Sequence, residues 1–403
     1  MQMNEVVVTG LGVVSALGPD AEAFTARLRS GESGIGKLTL FDASGCRSEL
    51  VGQAAEPTFP ASLSLPPRSS RPDCFGIAAA LAAIAQAGLP GDALHKAAVL
   101  FGTGCGGAQE TEAYLRQTLA GPWPPTGELV PHQPSSVTDL VARLLGATGP
   151  RATIMTACSS SAIAISQGRD LILLGHSDVA ICGGAEGLCR LTMAGFSALR
   201  ATSPEPCRPF DQERKGLNLG EGAAVLVLES AQHAQRRGAR PLARILGAGM
   251  SCDAHHMTAP HPQGEGALRA MQAACLDAGL SPESIGYINA HGTGTPHNDA
   301  AETAAVRSLL GAQSGQVPMS SIKSMVGHTL GAAGAIEAAA SVLTLQHGFL
   351  PPTANLEHPD PAFGAPGDFD FVVGTAREQP VDIVMSSSFA FGGNNAVLIF
   401  GRA

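Results

Sequence analysis

Two kinds of apolar pattern alternate along the first 240 residues of the chain. Short runs of valine and isoleucine are typical of buried strands, and longer alanine-rich stretches are typical of helices. The pattern predicts strands at residues 6–9, 97–102, 152–156, 179–183 and 223–228, and helices at 78–87 and 160–174. A repeated order of strand, helix and strand indicates largely parallel sheets that are covered by helices.

The same alternation starts again after residue 240. It predicts strands at 243–246 and 285–290, and helices at 266–278, 299–310 and 331–347. Proline, glycine and charge predict loops at 59–70, 121–134, 203–215 and 350–367. Because no loop is long enough to be a disordered linker, we expect one compact unit of two intertwined halves, residues 1–240 and 241–403. Duplication of the halves is inferred from element order alone.

The composition narrows the functional classes. The 403 residues include 49 glycines but only 4% aromatic side chains, so small aliphatic side chains must pack the core. A formal net charge of −9 without a run of Lys and Arg argues against nucleic acid and anionic membranes as partners. No apolar stretch reaches the ~20 residues of a spanning helix, and residues 1–18 do not resemble a signal peptide. The nine cysteines include no Cys-x-x-Cys pair, which favours reduced thiols and a cytoplasmic location.

Cys158 has the most informative local context of the nine cysteines. It stands between a predicted strand and the apolar helix at 160–174, and therefore at or just before a helix amino terminus. Free backbone N–H groups and the helix dipole stabilise a thiolate, so we expect the pKa of Cys158 to fall below ~8.5. The same amides can hold an oxyanion. Most cysteines are small buried core residues, but the flanking pattern favours a nucleophile here.

Four motifs, in order, resemble those of the β-ketoacyl synthases, and specifically the elongating branch of this group within the thiolase-like superfamily. They are Thr156-Ala157-Cys158-Ser159-Ser160-Ser161, His291-Gly292-Thr293-Gly294-Thr295, the segment 321–334 with Lys323 and His328, and Phe391-Gly392-Gly393-Asn394-Asn395. Further similarity covers residues 8–18 and 207–221. The resemblance implies an α/β, five-layered αβαβα thiolase-like fold of two similar halves with mostly parallel mixed sheets.

The same resemblance implies a reaction and its catalytic residues. The reaction is decarboxylative Claisen condensation of an acyl thioester, held on Cys158, with malonyl acyl carrier protein. His291 and His328 are expected to contact the malonyl thioester oxygen, where negative charge develops as CO2 leaves. The backbone amides of Cys158 and Phe391 are expected to form a second oxyanion hole.

Supporting and binding residues are also implied by the resemblance. Lys323 is expected to orient the His328 loop, with Asp299 and Glu302 as its buried polar partners. The residues expected to contact the acyl chain or the pantetheine arm are Cys105, Phe196, His256, Thr258, Thr293, Thr295, Gly392 and Asn394. Acyl carrier protein is acidic, so docking requires local basic residues, and the candidates are Arg68, Arg71 and Arg200.

Two other patterns carry less weight. The glycines of residues 102–107 follow a predicted strand like a dinucleotide fingerprint, but no suitably spaced acid follows a second strand. Residues 252–261 include a cysteine, an aspartate and three histidines, but their crowding matches no familiar zinc spacing. We therefore expect no metal and no bound cofactor, with the substrates carried on the phosphopantetheine of acyl carrier protein.

Two rival functions stay open at this point. A non-catalytic, chain-length-factor-like partner of a ketosynthase heterodimer would lack the nucleophile, so Cys158 with both histidines counts against it. A cysteine hydrolase would need a general base held by a carboxylate or amide. The expected partners are acyl carrier protein, acyl and malonyl thioesters, and a second ketosynthase-like chain, identical or related. Ser160-Ser161 and residues 215–222 favour polyketide or aryl polyene assembly slightly over fatty-acid elongation.

Overall fold

The computed structural model describes residues 5–61, 63, 65–66 and 68–403. Residues 1–4 of the predicted first segment, and 62, 64 and 67 of the predicted loop at 59–70, lie outside them. The strands are β1 (Val6–Val14), β2 (Ile35–Lys37), β3 (Leu50–Gly52), β4 (Ala98–Gly102), β5 (Arg151–Ile154), β6 (Val179–Glu186), β7 (Leu219–Gly220), β8 (Gly222–Ser230), β9 (Ala243–Cys252), β10 (Tyr287–Asn289), β11 (Pro318–Ser320), β12 (Phe349–Leu350), β13 (Asp370–Phe371), β14 (Arg377–Glu378), β15 (Ile383–Phe389) and β16 (Asn394–Arg402). The helices are α1 (Ala21–Ser30), α2 (Arg71–Ala87), α3 (Gly91–His95), α4 (Ala108–Ala120), α5 (Ser136–Leu145), α6 (Ser160–Leu173), α7 (Arg190–Ala198), α8 (Ala231–Arg236), α9 (Glu265–Ala278), α10 (Pro296–Leu310), α11 (Lys323–Val326) and α12 (Ala333–His347).

Each strand and helix expected from the apolar pattern has a counterpart in the structure. The pattern does not predict β15 and β16, nor the helices α1, α4, α5 and α7. Serines 386–388 interrupt the apolar run of β15, although all three are buried. The hydrophobic pattern alone therefore does not predict this strand. Within the described residues, no helix combines the length and apolar character that a membrane crossing requires.

Eleven strands form one continuous sheet in the order β13-β11-β10-β15-β16-β9-β1-β8-β6-β4-β5. It contains two matching series, β5-β4-β6-β8-β1 and β11-β10-β15-β16-β9. In each series the first three strands run parallel and the later neighbours pair antiparallel. A short antiparallel pairing of β1 with β9 joins them. The matched order agrees with two similar halves, although the sheet is evenly mixed rather than mostly parallel.

Helices cover the outer faces of both halves and fill the space between them. α2 and α5 pack on the outer face of the first half, and α9 and α10 pack on the outer face of the second. α6 and α12 lie side by side in the middle and contact strands of both halves. The five layers of the predicted αβαβα architecture are therefore present.

The two central helices approach each other closely because small residues line their contact. A Cβ atom on Gly334 of α12 would lie 2.7 Å from the backbone nitrogen of Ala162 in α6, so only glycine fits there. The Ala335 N–H of α12 donates a hydrogen bond to Ser161 Oγ of α6 (2.9 Å). This contact fixes the amino-terminal ends of the two helices side by side, and the candidate site lies at these ends.

Candidate active site

Cys158 lies in a strained turn between β5 and α6. Ala157 has φ 53°, a left-handed conformation that non-glycine residues rarely adopt and that is often found at functional sites. Side chains of the following serines hold the turn: the Thr156 N–H donates to Ser160 Oγ (2.9 Å), and Ser159 Oγ donates to Thr156 O (2.9 Å). The turn places the thiol immediately before the amino terminus of α6.

His328 occupies the matching position before α12. Its backbone is held by residues 217–220: the His328 N–H donates to Asn218 O (2.7 Å), and the Gly220 N–H donates to His328 O (2.9 Å). The ring Nε2 lies 3.0 Å from Cys158 Sγ. The segment 215–222, which the sequence pattern linked to the family resemblance and to a choice of pathway, therefore also positions one of the two imidazoles.

His291 follows β10 and is held by two buried ionisable side chains, Glu302 and Lys323. Glu302 on α10 accepts hydrogen bonds from the backbone N–H groups of His291 (2.8 Å) and Gly292 (2.7 Å). Lys323 Nζ donates to His291 O (2.6 Å) and lies 3.2 Å from His291 Nδ1. The His291 and His328 rings meet edge to face, with their centroids 5.3 Å apart.

The hydrogen-bond network assigns the same tautomer to both imidazoles. His328 Nδ1 accepts from the Leu330 N–H (3.3 Å), and His291 Nδ1 faces the Lys323 ammonium, which is a donor only. Each ring therefore carries its proton on Nε2. Burial, with Lys323 close by, lowers the pKa of both imidazoles well below their ordinary 6.5. The site consequently presents two neutral N–H donors.

Lys323 has a different carboxylate partner from the two expected. Its Nζ forms a buried ion pair with Glu337 of α12, while its other contacts are to His291 rather than to the His328 ring. Asp299 instead accepts from the Phe210 N–H (2.8 Å) and the Gly294 N–H (3.2 Å). The expected pairing of Lys323 with Asp299 and Glu302 is therefore wrong, because both carboxylates bind backbone amides.

Glu337 is a functional candidate that the motif comparison missed. Burial raises its pKa to about 7, against the lowering effect of Lys323. A signal was available in the sequence. Glu337 is the single charged residue among residues 333–345, and all of these are buried. An isolated acid inside an otherwise apolar helix requires a buried cationic partner.

The expected lowering of the Cys158 pKa is also wrong. Burial raises the pKa of this thiol to about 12, and this outweighs the lowering effects of Lys323 and of the Phe391 N–H, which donates to the sulfur. The side chain is only 5% exposed, so desolvation of a thiolate exceeds the stabilisation by local dipoles. The resting nucleophile is therefore a neutral thiol.

A cavity of about 520 Å³ leads to the three side chains Cys158, His291 and His328. Its lining includes five of the residues expected to bind substrate or carrier arm, namely Phe196, His256, Thr258, Thr293 and Thr295. Cys105 lines a second cavity of about 300 Å³, which shares Cys158, Phe196 and Phe391 with the first. Gly392 and Asn394 lie in the neighbouring turn but outside the lining of both cavities.

Two phenylalanines separate the cavities. Phe196 of α7 stacks on Phe391, with ring centroids 5.5 Å apart and planes 15° from parallel. The turn that carries Phe391 is tied to the segment 252–258, because the Gly392 N–H donates to Met257 O (2.8 Å) and the Asp253 N–H donates to Gly393 O (2.9 Å). A displacement of residues 252–258 would therefore also move the turn that carries Phe391.

The three candidate docking arginines have different surroundings. Arg200 is exposed and lines the mouth of the larger cavity. Arg68 is exposed in a separate groove. Arg71 is mostly buried, and its guanidinium binds both carboxylate oxygens of Glu221 at 2.7 and 2.9 Å. The prediction that Arg71 presents a surface charge is wrong, because its guanidinium is mostly buried in a bidentate ion pair with Glu221.

Hydrogen bonds within the protein involve both the glycine-rich segment 102–107 and the cysteine, aspartate and histidine segment 252–261. Glu186 accepts from the backbone N–H groups of Gly104 (2.6 Å) and Cys105 (3.0 Å), which are the groups that a phosphate-binding loop would offer to its ligand. In the segment 252–261, Asp253 accepts from the His261 N–H (3.0 Å) and from Asn395 (2.7 Å). This carboxylate therefore has internal partners.

One cluster in the described part of the chain has the side-chain types of a metal site. The ligand atoms of Cys158, His291 and His328 all lie within 4.8 Å of one another. A metal ligand must offer a lone pair, whereas the tautomer assigned to His328 presents its Nε2–H group to the sulfur. The arrangement therefore suits an oxyanion better than a cation.

The geometry is that of a thiolase-like condensing enzyme, with a buried thiol at a strand-turn-helix junction that faces two neutral imidazoles from the other half. Family models agree. "Beta-ketoacyl synthase, N-terminal domain" matches residues 3–234, and "Beta-ketoacyl synthase, C-terminal domain" matches residues 242–357. The chain belongs to the β-ketoacyl synthase family.

Individual relatives cover the full chain. It is 39% identical over 419 residues to 3-oxoacyl-[acyl-carrier-protein] synthase 2 of Synechocystis sp., across 100% of this chain and 99% of that protein. It is 38% identical to a chain of the solved ishigamide ketosynthase/chain length factor, with a TM-score of 0.93 and complete coverage of both chains. A type II polyketide acyl-carrier protein in complex with its ketosynthase bound to the hexaketide contains a chain 30% identical, with a TM-score of 0.90 and complete coverage of both.

Proposed function

We propose that this protein is a 3-oxoacyl-[acyl-carrier-protein] synthase, an acyltransferase that lengthens an acyl chain by decarboxylative condensation with malonyl acyl carrier protein. The observation that carries the proposal is the contact of Cys158 Sγ with His328 Nε2 at 3.0 Å, beside a second neutral imidazole. A thiol can hold an acyl group, and two N–H donors can stabilise an enolate.

The first step is acyl transfer to Cys158. The sulfur attacks the carbonyl carbon of an acyl thioester, the bond from that carbon to the pantetheine sulfur breaks, and the thiol proton passes to the departing pantetheine thiolate. The Phe391 N–H already points at the Cys158 sulfur, so it lies near the oxygen of the tetrahedral intermediate. Together with the Cys158 N–H it forms the oxyanion hole of this step.

The second step is decarboxylation of the malonyl thioester. The bond to the carboxylate carbon breaks, CO2 leaves, and the electron pair forms an enolate whose oxygen accepts hydrogen bonds from His291 and His328. Neutral imidazoles suit this task because they donate without protonating the carbanion first. Lys323, paired with Glu337, holds the His291 ring in the donating tautomer.

Condensation completes the cycle. The enolate carbon attacks the acyl carbon on Cys158, and the bond from this carbon to the sulfur breaks, which gives a β-ketoacyl thioester longer by two carbons. The thiol regains a proton from solvent. Cys105 and Phe196 lie beside the acyl group in this scheme, and His256, Thr258, Thr293 and Thr295 lie along the pantetheine arm.

Acyl carrier protein is the proposed substrate carrier, and Arg200 at the cavity mouth is its proposed contact, with Arg68 as a second basic site. No bound cofactor enters the scheme. A solved relative contains an acyl-carrier protein in complex with its ketosynthase, which supports a carrier-borne substrate here. We further propose a cytoplasmic enzyme that works as a dimer with an identical or related chain, a pairing that the ketosynthase/chain length factor relative supports.

A chain-length-factor role is the alternative, and the site geometry argues against it. A non-catalytic partner has no need of a thiol that is held beside two matched imidazoles.

The two serines after Cys158 have structural roles in this protein. Ser160 holds the Cys158 turn, and Ser161 accepts a hydrogen bond from the amino-terminal end of α12. These contacts account for both residues without reference to pathway. The preference for polyketide or aryl polyene assembly stays a prediction.

Intact-mass analysis with a panel of acyl carrier proteins tests the proposal. We expect one acyl adduct per chain, and peptide mapping places it on the tryptic peptide 152–169, in which Cys158 is the sole cysteine. Malonyl carrier should then release the adduct as β-ketoacyl carrier. An adduct on another peptide, or none with any carrier, would contradict the proposed function.

A further inference from the structure

A buried carboxylate of the first half reaches the segment that follows His328 in the second half. Glu186 is the last residue of β6, and its side chain is fully buried. β6 and β4 are parallel neighbours in which Gly184 pairs with Gly102, so both strands end at the same side of the sheet. Glu186 therefore lies beside the loop that follows β4.

One oxygen of this carboxylate joins two segments that are distant in the chain. Glu186 Oε2 accepts hydrogen bonds from the Gly104 N–H (2.6 Å) and from the Gly331 N–H (3.0 Å). Oε1 accepts from the Cys105 N–H (3.0 Å). The two segments also touch directly, because a Cβ atom on Gly331 would lie 2.5 Å from Gly104 N. All three donors are backbone groups, so the carboxylate fixes main-chain positions.

The bond to Gly331 acts on His328 through one strained residue. Leu330 has φ 46°, a left-handed conformation that must be held by its surroundings. The Leu330 N–H donates to His328 Nδ1 (3.3 Å), and the N–H of the next peptide is the one that Glu186 accepts. Without the carboxylate, Leu330 can relax, and His328 Nδ1 then loses the donor that sets its tautomer.

The same carboxylate lies behind the acyl cavity and away from the wider cavity. Residues 103–105 and 330–331, which it joins, line the 300 Å³ cavity beside Cys158. Neither segment nor Glu186 lines the 520 Å³ cavity, along which the pantetheine arm is proposed to lie. Loss of the carboxylate should therefore change how His328 acts without changing how the carrier arm binds.

We propose that Glu186 is a positioning residue for the condensation, which holds the peptide between Leu330 and Gly331 so that His328 presents its Nε2–H to the enolate oxygen. Glu186 touches no reacting atom and acts through His328. The inference rests on the proposed function, because it concerns the decarboxylation step of that reaction. The expected mark of this role is a lower kcat for decarboxylation with an unchanged KM for malonyl carrier.

A double-mutant cycle tests whether Glu186 acts through His328. In the Cys158→Ala background, with malonyl carrier as the sole substrate, Glu186→Gln should lower kcat for acetyl carrier formation about tenfold, because small displacements of a catalytic group cost this much. KM should stay within about twofold, since binding of the arm is untouched. Addition of His328→Ala should reduce the effect of Glu186→Gln to less than about twofold, whereas addition of His291→Ala should leave it near tenfold.

Asp73→Asn is the matched control for lost stability. Asp73 is another buried carboxylate of the first half, and it accepts from the Ser70 N–H (2.8 Å) and from Ser136 Oγ (3.0 Å). It lies outside the lining of both cavities. We expect Asp73→Asn to lower the urea midpoint of unfolding as Glu186→Gln does, but to leave kcat for acetyl carrier formation unchanged.

Gly104→Ala is a second variant in case Glu186→Gln folds poorly. The added Cβ atom would lie 2.8 Å from Glu186 Oε2, so it should displace that oxygen from the Gly331 N–H while the charge remains. We expect a smaller loss of kcat, which should also disappear when His328→Ala is added.

Equal losses of kcat with and without His328, or a change confined to KM, would overturn the inference. Absence of acetyl carrier before Glu186 is changed would contradict the proposed function itself, and the inference with it. The two failures are therefore distinguishable in one set of assays.

Discussion

The two central helices occupy matching places in the two halves but present different chemistry. α6 follows β5 and begins beside a thiol, whereas α12 follows β11 and begins beside an imidazole. Both junctions contain a non-glycine residue with positive φ, Ala157 at 53° and Leu330 at 46°. A repeated architecture thus brings two strained helix starts together, and the side chains at these starts divide the reaction between the halves.

The halves also differ in how they hold their active-site residues. In the first half, hydroxyl groups and the uncharged turn of residues 156–160 hold Cys158. In the second half, Glu302 and the buried ion pair of Lys323 with Glu337 hold His291, through direct contacts of Glu302 and Lys323. A nucleophile that must be neutral at rest tolerates apolar surroundings, whereas two imidazoles that must stay aligned and unprotonated require a fixed cation nearby.

The largest expected effect concerns the second half alone. His291→Ala removes one of two donors to the enolate, so decarboxylation of malonyl carrier should slow about 10³-fold, as for loss of an oxyanion donor. Acylation of Cys158 should continue, because His291 takes no part in that step. Carbon dioxide release and intact mass measure the two steps separately.

His347→Ala is the control for this variant, since His347 is exposed at the end of α12 and should change neither rate. Equal loss of acylation and decarboxylation in His291→Ala would show that the two halves do not divide the reaction.

The buried charges predict a stability difference between the halves. Glu337→Gln leaves the Lys323 ammonium buried without its counter-charge, and we expect a loss of about 3 kcal/mol in the free energy of unfolding. Glu186→Gln in the first half removes a carboxylate that accepts hydrogen bonds from the backbone N–H groups of Gly104, Cys105 and Gly331, and should cost about 1–2 kcal/mol. Urea unfolding measures both. If Lys323→Met in the Glu337→Gln background restores no stability, the ion pair is not the cause.

Docking of the carrier should depend on the cavity mouth. Arg200→Glu reverses an exposed charge there, so KM for acyl carrier should rise about tenfold at low salt, while kcat changes little. Acyl-pantetheine, which lacks the carrier protein, should react unchanged. Arg240→Glu reverses an exposed charge outside the cavity lining and serves as the comparison. Identical KM values for the two variants would remove Arg200 from the docking surface.

The smallest expected effect is a flat pH profile. The folded-state pKa of both imidazoles lies well below 6.5, so they stay neutral as the pH falls from 7.5 to 6.0. Decarboxylation should therefore change less than about twofold over this range, whereas an ordinary histidine with a pKa of 6.5 would lose about three-quarters of its neutral form at pH 6.0. In the unfolded chain these histidines do gain protons below pH 6.5, so the contribution of His291 and His328 to stability should fall with acidification while the rate holds. A fourfold loss of rate would contradict the assigned neutrality.

The sequence predicted the layered fold and the three central side chains because both leave local signals. Apolar periodicity marked the strands and helices, and short motifs marked Cys158, His291 and His328. The sequence marks Glu337 as an isolated acid in an apolar helix, but no local pattern identifies Lys323 as the partner of this carboxylate, because the fold brings the two side chains together. The pKa of Cys158 depends on burial by the whole fold, which is why its helix position alone gave the wrong direction.

The division of the reaction between the halves is tested most directly by Cys158→Ala with malonyl carrier protein as the sole substrate. The two imidazoles of the second half remain in this variant, so acetyl carrier should form at a rate within about tenfold of the parent rate, since the main electrostatic stabilisation is intact. No acyl-enzyme should appear by intact mass. Absence of acetyl carrier from a folded Cys158→Ala protein would contradict the account, because decarboxylation would then require the thiol as well.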